Sequence, residues 1–348
     1  MGSNTMSIGY STAYRFDDRA LAEDNVGVFN LEVLPNIFRT SFKAGAEWAF
    51  DELEVYAVRS DKKVLFIDAG CPEVTNFRVF QAMLDEYGLS WDNAALFVTH
   101  FHRDHCGFAR EFYKKGVPVY STAGRIKYDE SNIARFHYLS GACAACLNGS
   151  YAGYLATFEA SCNIDYPAIE VEDGFVFDLD CYQLEVVHLP GHAAEHSGLI
   201  ERSQRILFCG DMVLEKYAPI CCADDIDAHA MVSYGRSLKK MAQMAPLSLF
   251  SSHMLPLWGV DAARRAFEDA WAYQNRQIEN IFKTLCAASG ACSVVDIEKL
   301  YYSDTDSKSM DSRGRRAIKI FSYCEYLYDN KRVSRRIDGM GTALYYHT

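Results

Sequence analysis

Residues 99–107 read THFHRDHCG, so three histidines and an aspartate fall within the six positions 100–105. Crowding imidazoles and a carboxylate this closely costs free energy unless something gathers them, and a metal ion is the usual gatherer. The stretch follows NAALFVT, an apolar run that reads as a buried strand. His100, His102, Asp104 and His105 are therefore expected in the loop at that strand's C-terminal end. In a loop alternate residues can point the same way, which lets His100 and His102 share one metal while Asp104 and His105 turn toward a second.

Three further candidate ligands stand at equivalent places. His192 follows QLEVVHLPG, Asp211 follows RILFCG and His253 follows LSLFSS. Each is a hydrophobic strand ending in a metal-type side chain, and C-terminal strand edges are where open α/β sheets build their sites. Seven ligands converging in this way suffice for two ions bridged by one carboxylate.

The rest of the chain supplies a layered frame. GVFNLEVLPNIFRTSF and WAFDELEVYAVRSDKKVLFIDAG read as strands, with SDKK as a hairpin turn. VTNFRVFQAMLDEYGL is apolar at helical spacing and stops at Gly88, and GFAREFYKKG reads as a short helix ending at Gly116. VPVYST, FVFDLDCYQLEVVHLPGH and HSGLIERSQRILFCGDMV restore the strand pattern, with ERSQ as a tight turn. DIDAHAMVSYGRSLKKMAQM is a helix and PLSLFSSHM a strand. Alternation of this kind indicates layered α/β architecture. Residues 124–166, rich in Ala, Gly, Cys and Tyr, interrupt the rhythm and read as an insertion over a pocket. Within it Phe136, Tyr138, Tyr151, Tyr154 and Phe158 are candidates for an aromatic lid, with helix packing or a homodimer interface as the alternative. From Asp261 the texture turns to long helix, then the helices SVVDIEKLYY and GRRAIKIFSYCEYLYDN, then a basic hairpin. The expected organisation is residues 1–260 as the catalytic domain and 261–348 as a small helical domain resembling a winged helix.

Charge and composition exclude several classes of partner. With a net charge of −11 and 49% apolar residues, the chain is built for solubility and a full core. It is poorly suited to holding nucleic acid or an anionic membrane. No apolar run approaches the ~20 residues of a membrane span, and the first residues, MGSNTMSIGYSTAYRFDD, show no signal pattern. A cytoplasmic location is the expectation. The twelve cysteines are scattered, and the lone pair Cys143–Cys146 lacks the second pair a zinc knuckle needs; reduced thiols are expected.

THFHRDH, PGHAAEHS, FCGDM and SSH, in that order, resemble the metal motifs of the metallo-β-lactamase superfamily, with glyoxalase-II-like hydrolases the nearest branch by motif. VLFIDAG resembles the strand that precedes them there, and the likeness runs over roughly residues 28–260. It implies a four-layer αββα sandwich with the site at one sheet edge. It assigns His100, His102 and His192 to one metal and Asp104, His105 and His253 to another, with Asp211 between. Asp68 would support the site by orienting a ligand imidazole, and His196 would hydrogen-bond beside the ligands rather than join them. His188 reads as structural, while His137, His229 and Tyr217, like Tyr154, are candidates only for a pocket contact.

The resemblance implies a metal-dependent hydrolase. Two divalent ions about 3.5–4 Å apart share a hydroxide near neutral pH and polarise a carbonyl or phosphoryl oxygen. Zinc is the expected metal from imidazole-rich ligation, and iron and manganese also fit. Asp104 is also a candidate for orienting the nucleophile or relaying a proton. The expected substrate is a small ester, thioester, lactone or amide. Relatives that reduce oxygen or nitric oxide at di-iron carry a glutamate where this chain has His102, which favours hydrolysis; a mononuclear-iron persulfide dioxygenase remains an alternative. A second alternative is a nuclease acting on RNA, as in the branch called β-lactamase-like protein 2. From Lys299 to Thr348 there are ten Lys/Arg against six Asp/Glu, but an exposed basic tail is more often a solvated face.

Overall fold

The computed structural model describes residues 26–45, 50–122, 166–215, 218–221, 223, 227, 229–302, 310–339 and 341–347, with backbone alone over 310–315. The first sheet contains β1 (Val26–Leu34), β2 (Ile37–Lys43), β3 (Glu52–Arg59), β4 (Val64–Ile67), β5 (Ala94–Phe97), β6 (Val119–Thr122) and β7 (Ile169–Val171), hydrogen-bonded in chain order. β1 to β4 run antiparallel, and β4 to β7 run parallel. The switch follows the connections. Tight turns such as Ser60–Lys63 can return a strand only antiparallel, whereas parallel neighbours need a crossover. Here the crossovers carry α1 (Arg78–Tyr87), α2 (Arg103–Cys106) and α3 (Ala109–Lys114).

The second sheet contains β8 (Val176–Asp178), β9 (Gln183–His188), β10 (Ser197–Glu201), β11 (Ile206–Phe208), β12 (Ser248–Ser251) and β13 (Met254–Trp258). Its one parallel pair, β11 with β12, is again the pair with a helix between, α4 (Ala230–Met244). The helix that begins α1 starts at Arg78 rather than at Val74 as the apolar spacing predicts. The Val74 and Thr75 N–H groups instead turn back onto the Cys71 carbonyl. It ends as the sequence requires, at Gly88 with φ 66°.

The inner faces of the sheets meet in one cluster that includes Tyr56, Ile67, Phe97, Leu184, Phe208 and Phe250. The outer face of the first sheet buries Val55, Phe66 and Leu96 against Phe80 and Phe112 of α1 and α3. The outer face of the second buries Val187, Leu207 and Leu249 against α4 and α5 (Val260–Ala287). The result is a four-layer αββα sandwich. Being covered on both sides, β4 is buried along its whole length.

α6 (Val294–Tyr301), α7 (Met310–Asp329) and the hairpin β14 (Ser334–Ile337) with β15 (Ala343–Tyr346) complete the chain. Ser293 and Asp296 cap α6 reciprocally. Residue Cys292, just before α6, bridges to Tyr345 of the hairpin. Ile297, Ile318 and Phe321 belong to the same continuous core as Val187 and Leu207 of the second sheet. No helix among the described residues is long and apolar enough to cross a membrane.

Candidate metal centre

Five chain segments reach one edge of the sandwich. β4 ends before Asp68, β5 before His100, β9 before His192, β11 before Asp211 and β12 before His253. The stretch after β5 differs from the expected loop. His100 lies in a bend and His102 on extended backbone, but Asp104 and His105 sit in the helical turn α2. There the His105 and Cys106 N–H groups both donate to the His102 carbonyl, and the His105 carbonyl accepts from Ala69. Backbone bonding thus overrides the alternation that carries His100 and His102 to one side.

The side chains form two triads. In the first, His102 Nδ1 lies 2.9 Å from both His100 Nε2 and His192 Nε2. In the second, His253 Nε2 and His105 Nε2 lie 3.2 and 3.4 Å from Asp104 Oδ2. Asp211 faces both, with Oδ2 3.5 Å from His192 Nε2 and Oδ1 3.4 Å from the Nε2 atoms of His105 and His253. Within each of the groups His100–His102–His192, His100–His105–Asp211 and Asp104–His105–His253, the donor atoms lie within 4.8 Å of one another and could hold a metal ion.

The sequence model of the metallo-beta-lactamase superfamily matches residues 54–253, which span every one of these side chains. The chain belongs to that superfamily.

Its relatives include the beta-lactamase-like protein 2 homolog of Caenorhabditis elegans, 24% identical over 205 residues that make up 57% of this chain and 54% of the nematode protein. The acyl-coenzyme A thioesterase MBLAC2 of Bos taurus is 26% identical over 171 residues, 46% of this chain and 58% of that protein. The chain therefore spans little more than half the length of either relative. A crystal structure of a beta-lactamase domain protein from Burkholderia ambifaria superimposes with a TM-score of 0.72 at 19% identity, covering 91% of this chain and 94% of that one. That likeness is one of fold.

The donor set fits a pair of cations. His105 Nε2 and Asp211 Oδ1 are buried without a hydrogen-bond partner among the described residues. Leaving such atoms unpaired costs about 1–3 kcal/mol each, a cost that a shared ion removes. Charge divides the site as sharply as geometry does. Burial drives His100 and His192 below the usual imidazole range and holds His102 down to about 3, so this triad is neutral and ready to donate lone pairs. Burial also opposes charge in the other triad, but there opposite charges win. His105 and His253 hold Asp104 and Asp211 well below the carboxylate range. In return Asp211 and Asp104 lift His105 well above its ordinary value and His253 to about 10.

Neighbouring groups aim these imidazoles. His105 Nδ1 lies 2.7 Å from Asp68 Oδ2, His253 Nδ1 lies 3.0 Å from the Glu52 carbonyl, and His192 Nδ1 lies 2.7 Å from the Ile220 carbonyl. Each contact fixes the proton on Nδ1 and turns Nε2 toward the shared cluster. His196 is fully buried, and its Nε2 accepts the Asp211 N–H at 3.1 Å. Gly191 and Gly210, one residue before His192 and Asp211, have φ of 134° and 50°. A Cβ on Gly191 would lie 2.4 Å from the Cα of Tyr234, and one on Gly210 would lie 2.6 Å from His196 Nε2. His192 and Asp211 thus follow backbone that only glycine allows.

Other candidates lie apart. His188 Nε2 contacts the Ala194 carbonyl, and His229 pairs with Asp329 on the surface. Tyr217, Tyr154, Phe136, His137, Tyr138, Tyr151, Phe158, Cys143 and Cys146 lie outside the described residues. Cys71, Cys181, Cys209, Cys286 and Cys292 are free thiols.

Two contributors escaped the sequence reading. Glu195 Oε1 accepts the Phe101 N–H at 3.1 Å, gripping the backbone between His100 and His102. A carboxylate inside PGHAAEHS, beside two histidines, was the available signal. Phe50 stacks on His253 with ring centroids 3.9 Å apart. Its place in a hairpin tip gives no such signal.

Proposed function

We propose that the chain is a metal-dependent hydrolase that cleaves a small acyl ester or thioester, using two divalent cations held by seven side chains. One observation carries this reading: the two oxygens of Asp211 face separate triads, one of three neutral imidazoles and one containing Asp104. His100, His102 and His192 would hold the first ion, and Asp104, His105 and His253 the second. The ions, zinc for preference given five imidazoles and two carboxylates, would supply a water-derived nucleophile and polarise the carbonyl under attack.

The protein's own groups do the rest. Asp68, Ile220 and Glu52 keep the Nδ1 protons of three ligand imidazoles in place. His105 has no exposed side-chain surface, whereas Asp104 retains 12%. Asp104, more exposed than Asp211 at 9%, is the carboxylate placed to take the proton released by the attacking water and hand it to the departing atom. Phe50, stacked on His253, offers apolar surface at the rim. A thioester heads the substrate classes because a bovine relative carries the name acyl-coenzyme A thioesterase.

The C-terminal unit we read as winged-helix-like, supported by the Cys292–Tyr345 bridge and the hairpin that follows two helices. Its cations do not favour RNA. Arg316 pairs with Glu298, Arg332 with Glu279 and Arg335 with Glu325, so three of its basic groups already face carboxylates. Hydrolysis of acyl-coenzyme A thioesters, lactones, β-lactams and phosphodiesters by the zinc-loaded protein, with His102→Ala as control, tests the reading. Thioester or ester turnover that falls by about 100-fold or more in the variant supports it; turnover unchanged by the substitution refutes it.

A further inference from the structure

The contact between His192 Nδ1 and the Ile220 carbonyl raises a question of support. Ile220 lies on neither a helix nor a strand, and a loop carbonyl orients an imidazole only as firmly as the loop itself is held. The grip comes from α5 and α7. Gln274, fully buried on α5, donates from Nε2 to the Pro219 carbonyl at 2.7 Å. The Tyr323 hydroxyl on α7 donates to Gln274 Oε1 at 2.5 Å, which fixes the amide with its nitrogen toward Pro219. On the other side of Ile220, the Ala223 N–H donates to Ser322 Oγ at 2.9 Å, and that hydroxyl donates in turn to the Ile318 carbonyl of its own helix.

We propose that the C-terminal helices are part of the metal centre: Gln274, Ser322 and Tyr323 are positioning residues that pin the segment around Ile220 so that its carbonyl fixes the tautomer and aim of His192. The inference rests on the proposed two-ion site and adds to it a dependence that runs through one triad only. The partners of the other triad lie elsewhere: His105 meets Asp68 and Asp211, and His253 meets the Glu52 carbonyl. The three anchors are almost wholly buried, and buried polar groups with their partners in place hold a single geometry. Substitution among the partners of a metal-bound histidine typically weakens the metal by about 10- to 100-fold.

Stepwise zinc removal by a competing chelator, applied to the full chain, tests this. The Gln274→Leu protein should lose zinc from the three-histidine site at a chelator activity lower by about tenfold or more, while the step from Asp104–His105–His253 stays in place. The His192 Nδ1 proton, followed by nitrogen-15 NMR on the zinc-loaded protein, should exchange faster. Tyr345→Phe, which removes a hydroxyl bonded to Glu325 in the same C-terminal unit, should move neither readout. If Gln274→Leu does not fold, Ser322→Ala and Tyr323→Phe each remove one bond and should shift the same step in the same direction. Variants that titrate like the unaltered protein, or lose both ions in equal proportion, overturn the proposal. An unaltered protein that binds no zinc overturns both the proposal and the site on which it rests.

Discussion

Asp68 Oδ2 lies 2.7 Å from His105 Nδ1, and the same carboxylate accepts from the Thr99 N–H at 2.8 Å and from its hydroxyl at 3.0 Å. One side chain beyond β4 therefore fixes both the His105 imidazole and the backbone that leads into the histidine-rich stretch. Asp68 does so from a left-handed conformation with φ 63°, which aspartate and asparagine tolerate better than other residues with a β-carbon.

Asp68→Asn preserves that backbone but not the charge. It should lower metal affinity at the Asp104–His105–His253 site by about 10- to 100-fold and leave the three-histidine site nearly unchanged. Asp68→Ala should lose affinity similarly and in addition destabilise the fold by about 1–3 kcal/mol through unpaired Thr99 donors. Chelator competition and urea unfolding check the two effects separately.

The two triads should respond differently to pH. His105 and His253 are raised, the latter to about 10, so in the cation-free protein both carry protons at pH 7. An incoming cation must displace them, and affinity there should climb with pH by about tenfold per unit for each proton released. His100, His102 and His192 are lowered, so fewer protons stand to be displaced there and affinity should vary less with pH between 6 and 8 than at the other site. Acidification therefore strips the carboxylate-bearing site first. Zinc retention measured at pH 6, 7 and 8 checks this; equal slopes at the two sites count against it.

Glu195→Ala should loosen His100 and His102 together, because their shared backbone loses the acceptor for the Phe101 N–H. The expected cost is about 1–3 kcal/mol in stability and a several-fold loss of zinc from the three-histidine site. Isothermal unfolding and metal analysis of the variant measure both.

Phe208→Ala should act on the fold alone. Phe208 is buried between the sheets, 4.9 Å from Phe250 and 5.4 Å from Tyr56 between ring centroids. Its removal should cost about 3–5 kcal/mol, seen as a lower denaturant midpoint with metal stoichiometry retained in the folded protein.

Much of this was legible in the sequence because two periods are hard to disguise. Apolar runs such as VLFI, followed at once by Asp68, and AALF, three residues short of His100, locate β4, β5 and the sheet edge together. SDKK and Gly88 mark real chain reversals. The helical turn at Arg103–Cys106 was hidden because four polar residues carry no periodicity, and only the His102 and Ala69 backbone partners settle it. The support of His192 by Ile220 was hidden for a deeper reason. The carbonyl is common to every residue, and its anchors stand more than fifty and ninety positions along the chain, at Gln274, Ser322 and Tyr323.

The central claim is that seven side chains from four stretches of chain seat two cations that enable hydrolysis. Metal content per chain, measured alongside acyl-coenzyme A thioester turnover before chelation, after it and after zinc is restored, tests it most directly. Two equivalents of metal, with turnover lost on removal and recovered on return, is the predicted result. A folded protein that holds no divalent metal, or whose turnover survives complete chelation, would contradict it.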